Sequence, residues 1–101
     1  TTFTFSEHHQ GPPSIAHGGA IAALLDEAVS AAVAYEVGFP AFTVQLDISY
    51  RAPVFLGIEV TIIGQVLKVE GRKVFVQAQV ILPDGTIATE AKGLFIRITD
   101  T

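Results

Sequence analysis

Apolar residues recur along this 101-residue chain with two different periods, and the change from one to the other splits it into a helical and a strand-forming part. Thr2 to Glu7 alternates, with Phe3 and Phe5 on one face, which predicts a short strand. Gly11-Pro12-Pro13-Ser14 then predicts a loop, because successive prolines cannot continue a hydrogen-bonded ladder. From about Gly19 to Val37 the pattern becomes nearly continuous. Between Ala20 and Tyr35 the only polar residues are Asp26, Glu27 and Ser30. At ~1.5 Å per residue this predicts a helix roughly 28 Å long. It is apolar nearly all round, so it should be buried rather than laid on a surface. Gly38 and Pro40 end it.

After Pro40 the period drops to two. Val44, Leu46, Ile48 and Tyr50 alternate with Thr43, Gln45, Asp47, Ser49 and Arg51, and Ala52-Pro53 closes the run. Ile58, Val60, Ile62 and Val66 begin a second strand. Its apolar parity then shifts to Leu67 and Val69, which predicts a bulge or bend near Gly64. Glu70-Gly71-Arg72-Lys73 is a hairpin turn. Val74, Val76, Ala78, Val80 and Leu82 line one face of the next strand, Pro83-Asp84-Gly85-Thr86 turns the chain again, and the last strand runs from Ile87 to Ile98 with a parity change near Gly93. These lengths fit an α+β domain over residues 1–101, a curved antiparallel sheet wrapped around one long central helix. Such a sheet covers one of its faces only. The other face, with Phe75 and Ile81, and the free edge strands predict at least a homodimer, joined edge to edge, or a homotetramer.

Composition narrows the chemistry. Half the residues are hydrophobic and the net charge is −4, which excludes disorder and a general nucleic-acid surface. Without cysteine there is no disulfide framework, thiolate nucleophile or Cys-based zinc site. The adjacent His8 and His9 lack further residues at metal-ligand spacing, so no metal is expected. No apolar run approaches the ~20 residues of a membrane span. No signal peptide is visible, and the cytoplasm is the expected compartment. None of the four serines sits in a Gly-x-Ser-x-Gly elbow.

What remains is His17-Gly18-Gly19 at the helix start and Asp26 two turns further on. Adjacent glycines at a helix tip leave backbone N–H groups bare for an anion or a polarised carbonyl. A carboxylate on an apolar helix is costly unless paired or hydrated. Together they point to acyl transfer. The plain alternative is that Asp26 is a solvated helix residue beside Glu27 and that His17 merely satisfies its surroundings.

His17-Gly18-Gly19 with Leu25-Asp26 and Ala28, Thr43-Val44 through the closing Tyr50-Arg51-Ala52-Pro53, and Gly57 with the hairpin strands to Ile98 together resemble the hotdog-fold acyl-CoA thioesterases related to 4-hydroxybenzoyl-CoA and phenylacetate-pathway thioesterases. The resemblance covers the chain from about Phe5. It implies hydrolysis of an acyl-CoA, or a related acyl thioester, at a site between subunits. Coenzyme A would be part of the substrate, with no separate cofactor. Asp26 would be nucleophile or general base, Gly18 N–H would meet the thioester carbonyl, with Gly19 beside it, Thr43 would orient water, and His17 would hold the loop and the carbonyl end of the substrate. Relatives often carry Asn or Gln six residues before the histidine. Here that position is Gly11, with Gln10 beside it, so Gln10 either substitutes or the side-chain donor is absent. Arg72 and Lys73 are either a solvated turn or contacts for coenzyme A phosphates. The alternatives on the same fold are a non-catalytic acyl-CoA-binding protein and a hydratase or dehydratase.

Overall fold

A computed structural model describes residues 1–38 and 41–98. The described residues form five strands, β1 (Thr2–Thr4), β2 (Ala41–Tyr50), β3 (Glu59–Glu70), β4 (Lys73–Ile81) and β5 (Ile87–Arg97), and one α-helix, α1 (Gly18–Val37). The strands form one antiparallel sheet in the order β1-β3-β4-β5-β2. The helix lies across one face of this sheet, between β3 and β2, as in the expected hotdog architecture. Its left-handed C-cap is Gly38 at φ 75°, a conformation glycine adopts without steric cost. The second stop signal, Pro40, lies outside the described residues.

Ile21, Leu25, Val29 and Val33 recur every four residues and form the buried stripe of α1. They share the core with Val60, Ile62, Val74, Val76, Ala78, Val80 and Phe95 of the sheet. The expectation of a helix buried all round does not hold within one chain. Ala31 and Ala34 are exposed, and Tyr35 is 89% exposed. One sheet covers only the flank of the helix that faces it.

The helix packs close because Gly64 of β3 has no side chain. A Cβ there would lie 2.6 Å from the Ala28 carbonyl oxygen. Gly64 is therefore a point of backbone approach, and the bulge expected near it falls at Leu67, between the Val66 and Lys68 pairings. The predicted parity change near Gly93 is likewise absent. Thr89, Ala91 and Phe95 are all buried, and the irregularity of β5 sits at its start, between the Val80 and Ile81 pairings. β1 is shorter than the Thr2–Glu7 alternation predicts, because Ser6 caps a 3₁₀ turn over Glu7–His9 and folds His9 back over Phe5.

β2 carries the most consequential irregularity. Its pairing with β5 slips between Thr43 and Gln45, so Val44 is an extra residue. Strict alternation would put Thr43 with Gln45 and Asp47, away from Leu46, Ile48 and Tyr50. The bulge reverses the parity and brings Ala41 and Thr43 onto the helix-facing side with those residues. Gly93 makes room for it, since a Cβ there would lie 2.7 Å from the Gln45 carbonyl oxygen. The outer edge of β2 pairs with nothing among the described residues, and Phe42 and Val44 are about half exposed beside it. No described helix is long and apolar enough to cross a membrane.

Candidate active site

The helix start is built as a chain of hydrogen bonds. His17 is the N-cap, and its Nδ1 accepts from Gly19 N–H at 2.8 Å, which places the proton of a neutral ring on Nε2. A Cβ at position 19 would meet that imidazole at 3.0–3.1 Å, so any larger residue there would push the His17 ring aside by a few tenths of an ångström. The His17 carbonyl accepts from Ala20 N at 3.0 Å and Ile21 N at 3.1 Å. This double acceptance polarises the His17–Gly18 peptide and strengthens its N–H as a donor. That N–H, on Gly18, has no acceptor among the described residues. Of the two glycines, Gly18 thus offers the free donor, while Gly19 has given its own to His17.

Gly18 lines a groove of about 340 Å³ with Ile15, Ile21, Tyr50, Pro53 and Val54. The alternation of β2 marks Tyr50 only as an apolar position. Its hydroxyl donates to the Gly18 carbonyl at 2.7 Å. Nothing in a period of two signals that bond, which depends on how the end of β2 meets the helix tip.

Further down α1, the half-buried Asp26 accepts a hydrogen bond at its Oδ1 from Thr43 Oγ1, at 3.0 Å. Its second oxygen has no partner among the described residues. The pair exists because the β2 bulge turns Thr43 toward the helix. Asp47, on the other parity, instead accepts from Gln45 Nε2 at 3.0 Å.

The remaining candidates are Gln10, which lies beside the helix tip, and Arg72 and Lys73, which lie at the β3–β4 hairpin. Gln10 sits opposite Ala16 in an isolated bridge, and its side-chain oxygen accepts from Ser14 N at 3.4 Å. Gly11 packs on the His17 backbone, where a Cβ would come within 3.1 Å, so position 11 supplies no side-chain donor. Arg72 is exposed at the hairpin tip, and its Nε and Nη2 donate to the Arg97 and Ile98 carbonyls, tying the β3–β4 hairpin to the end of β5. Lys73 is exposed beside it. A second groove, about 690 Å³ between the outer flank of α1 and β3, contains none of the candidate residues. No cluster of three metal-ligating side chains occurs among the described residues.

Residues 14–89 match the thioesterase superfamily, and the chain belongs to that family. It is 40% identical over 90 residues to the acyl-coenzyme A thioesterase THEM4 of Xenopus laevis, covering 88% of this chain and 40% of that protein. To the mouse THEM4 it is 39% identical over 92 residues, covering 90% of this chain and 39% of that protein. The chain therefore spans about two fifths of the length of these relatives. Among solved structures, a thioesterase-superfamily protein superposes with a TM-score of 0.89 at 35% identity, over 94% of this chain and 46% of that one. A Streptococcus mutans protein crystallised with acetyl-CoA gives the same TM-score at 24% identity, over 98% of this chain and 79% of that one, and shows the shared fold.

Proposed function

We propose that this chain hydrolyses an acyl-CoA or a related acyl thioester to the free acid and thiol. The observation that carries the reading is the division of labour along α1: an unpartnered, polarised N–H at Gly18 and a carboxylate held by Thr43 at Asp26. As the thioester carbonyl is attacked, negative charge grows on its oxygen. A preorganised N–H donor at that point contributes about 3 kcal/mol to lowering the barrier. Asp26 supplies the attacking side, as nucleophile or as the base that takes a proton from water. Thr43 orients the carboxylate or the water. Coenzyme A enters as part of the substrate, and the relatives named as acyl-coenzyme A thioesterases support that class.

The same geometry supports a site shared between two copies. Gly18 and Asp26 are eight residues apart on one straight helix, or about 12 Å at 1.5 Å per residue. Donor and base must both lie within about 3 Å of the reacting groups. One chain cannot meet that condition, whereas a partner's helix running antiparallel can. Thr43 and Tyr50 stand near opposite ends of the unpaired β2 edge. A two-fold axis near the middle of β2 would lay the Thr43 end of one chain against the Tyr50 end of its partner. It would also cover Phe42 and Val44. Homodimer is thus the smallest active unit in this reading.

Free-thiol release from a panel of acyl-CoAs tests the activity, and Asp26→Asn tests the mechanism. The variant should lose at least ~100-fold in kcat, the scale of a positioned proton-transfer group, with little loss of stability. Near-normal turnover would remove Asp26 from the mechanism. Mixing Asp26→Ala chains with chains carrying a bulky residue at Gly18 should restore partial activity in hybrid dimers. A monomeric mass with full activity would refute the shared site. The second reading, an acyl-CoA-binding protein that does not hydrolyse, draws on the missing side chain at Gly11; it predicts tight binding with no thiol released.

A further inference from the structure

Two successive glycines make the helix tip a weak place to hold a catalytic donor. Glycine is the residue with most backbone freedom to lose, and the first turn of a helix has the fewest internal bonds to restrain it. The Gly18 N–H lies in the His17–Gly18 peptide plane, and how far that plane can rock about the Gly18 Cα depends on how firmly the next plane is held. The plane before Gly18 is fixed by the His17 carbonyl, bonded to Ala20 N and Ile21 N. The plane after it, joining Gly18 to Gly19, is held at both ends by side chains. Its N–H donates to His17 Nδ1 at 2.8 Å, and its carbonyl accepts from the Tyr50 hydroxyl at 2.7 Å. The Tyr50 ring also lies against Gly18, where a Cβ would be in ordinary contact at 3.4–3.6 Å.

We propose that Tyr50 is a positioning residue of the oxyanion site: its hydroxyl clamps the Gly18–Gly19 peptide and thereby keeps the neighbouring Gly18 N–H aimed for the substrate carbonyl. The hydrogen bonds run in series, from Tyr50 O–H through the Gly18–Gly19 peptide to the His17 imidazole, so each strengthens the next. Tyr50 is well placed to be rigid itself. It is the last residue of β2 and pairs with Thr89, and the Arg51 and Ala52 N–H groups that follow both donate to the Ala88 carbonyl, at 2.8 and 3.0 Å. One strand therefore holds both halves of the site. Thr43 near its start holds the carboxylate, and Tyr50 at its end holds the donor. The consequence for rate rests on the thioesterase reading; the consequence for Gly18 rests on the geometry alone.

The test is Tyr50→Phe in the full chain, which keeps the ring and removes only the hydroxyl. The control is Tyr35→Phe, the same deletion at the chain's other tyrosine, on the solvent side of α1. Two readouts are taken: the backbone order parameter of Gly18 by ¹⁵N relaxation, and steady-state kinetics on acyl-CoAs. Tyr50→Phe should lower the Gly18 order parameter from about 0.85 toward 0.6. It should reduce kcat about 10-fold with KM within about twofold, while Tyr35→Phe changes neither. An unchanged Gly18 order parameter overturns the proposal. So does a lowered melting temperature with kcat intact, which would make Tyr50 a strut and nothing more. Should the wild-type protein release no thiol, the thioesterase reading falls by itself and relaxation alone decides the clamp: a loosened Gly18 in Tyr50→Phe upholds it, a rigid one overturns it.

Discussion

Gly64→Ala adds a single methyl group at the closest approach of sheet and helix. The new Cβ would stand 2.6 Å from the Ala28 carbonyl oxygen, 2.8 Å from its carbonyl carbon and 3.1 Å from Val29 N. These are backbone atoms of a hydrogen-bonded helix, so no side-chain rotation relieves the clash. The helix must retreat by about 0.8 Å, the gap between 2.6 Å and the 3.4 Å of ordinary contact. Overpacking of this kind costs about 1–3 kcal/mol. Alanine offsets part of it, because it removes about 0.4–1 kcal/mol of unfolded-state entropy relative to glycine. The net loss should be about 1–2 kcal/mol, or a fall in melting temperature of roughly 5–15 °C for a domain of this size. Thermal unfolding followed by circular dichroism at fixed protein concentration measures it. Ala28 lies half a turn from Asp26, so lifting the helix should also stretch the Asp26–Thr43 bond beyond its 3.0 Å and lower thioesterase activity in step. A melting temperature equal to or above that of the wild type would refute the close approach of β3 to α1.

Two other perturbations follow from single hydrogen bonds. Thr43→Val keeps the side-chain shape and removes the donor to Asp26. A hydrogen bond to a charged group is worth about 1.5–3 kcal/mol, so kcat should fall roughly 10- to 100-fold and Thr43→Ser should recover most of it, whereas a fully active valine variant would remove Thr43 from the site. Asp84 accepts the Thr86 backbone N–H at 2.9 Å in the β4–β5 turn, and this bond, followed by one to the Thr86 side chain, holds its carboxyl below the ordinary carboxylate range. Because the folded value is the lower one, the stabilisation is present above the unfolded value near pH 4 and disappears as the pH falls through the folded one. Asp84→Asn should therefore flatten the acid side of a melting-temperature profile between pH 2 and 5, and a profile parallel to that of the wild type would contradict this role.

The sequence by itself carried the order of elements, because burial on one face imposes a period of two on strands and the continuous apolar run after two glycines marks a helix. β4 shows this most clearly: Val74, Val76, Ala78 and Val80, predicted as one face, are all buried. Asp26 and the His17-Gly18-Gly19 start were legible for a related reason, since an isolated carboxylate and a pair of helix-tip glycines are local departures from the surrounding pattern. Other features depended on tertiary structure. The β2 bulge was invisible, because Val44 looks like any other alternating residue until its pairing with β5 slips beside Gly93, and that slip alone turns Thr43 toward Asp26. Gly64 read as a bend because a glycine in a strand has two uses, and only the helix backbone lying against it tells close approach from a bulge. That Arg72 also ties the hairpin to the end of β5 is a contact between residues about 25 apart, which no local pattern signals. Tyr50 reads in the sequence as an alternating strand position and as the start of the closing Tyr50-Arg51-Ala52-Pro53, but its hydroxyl reaches the Gly18 carbonyl only through a contact between residues 32 apart. Periodicity reports which face of an element is buried; which polar atoms meet is decided by register and crossing, set by packing between segments far apart in the chain.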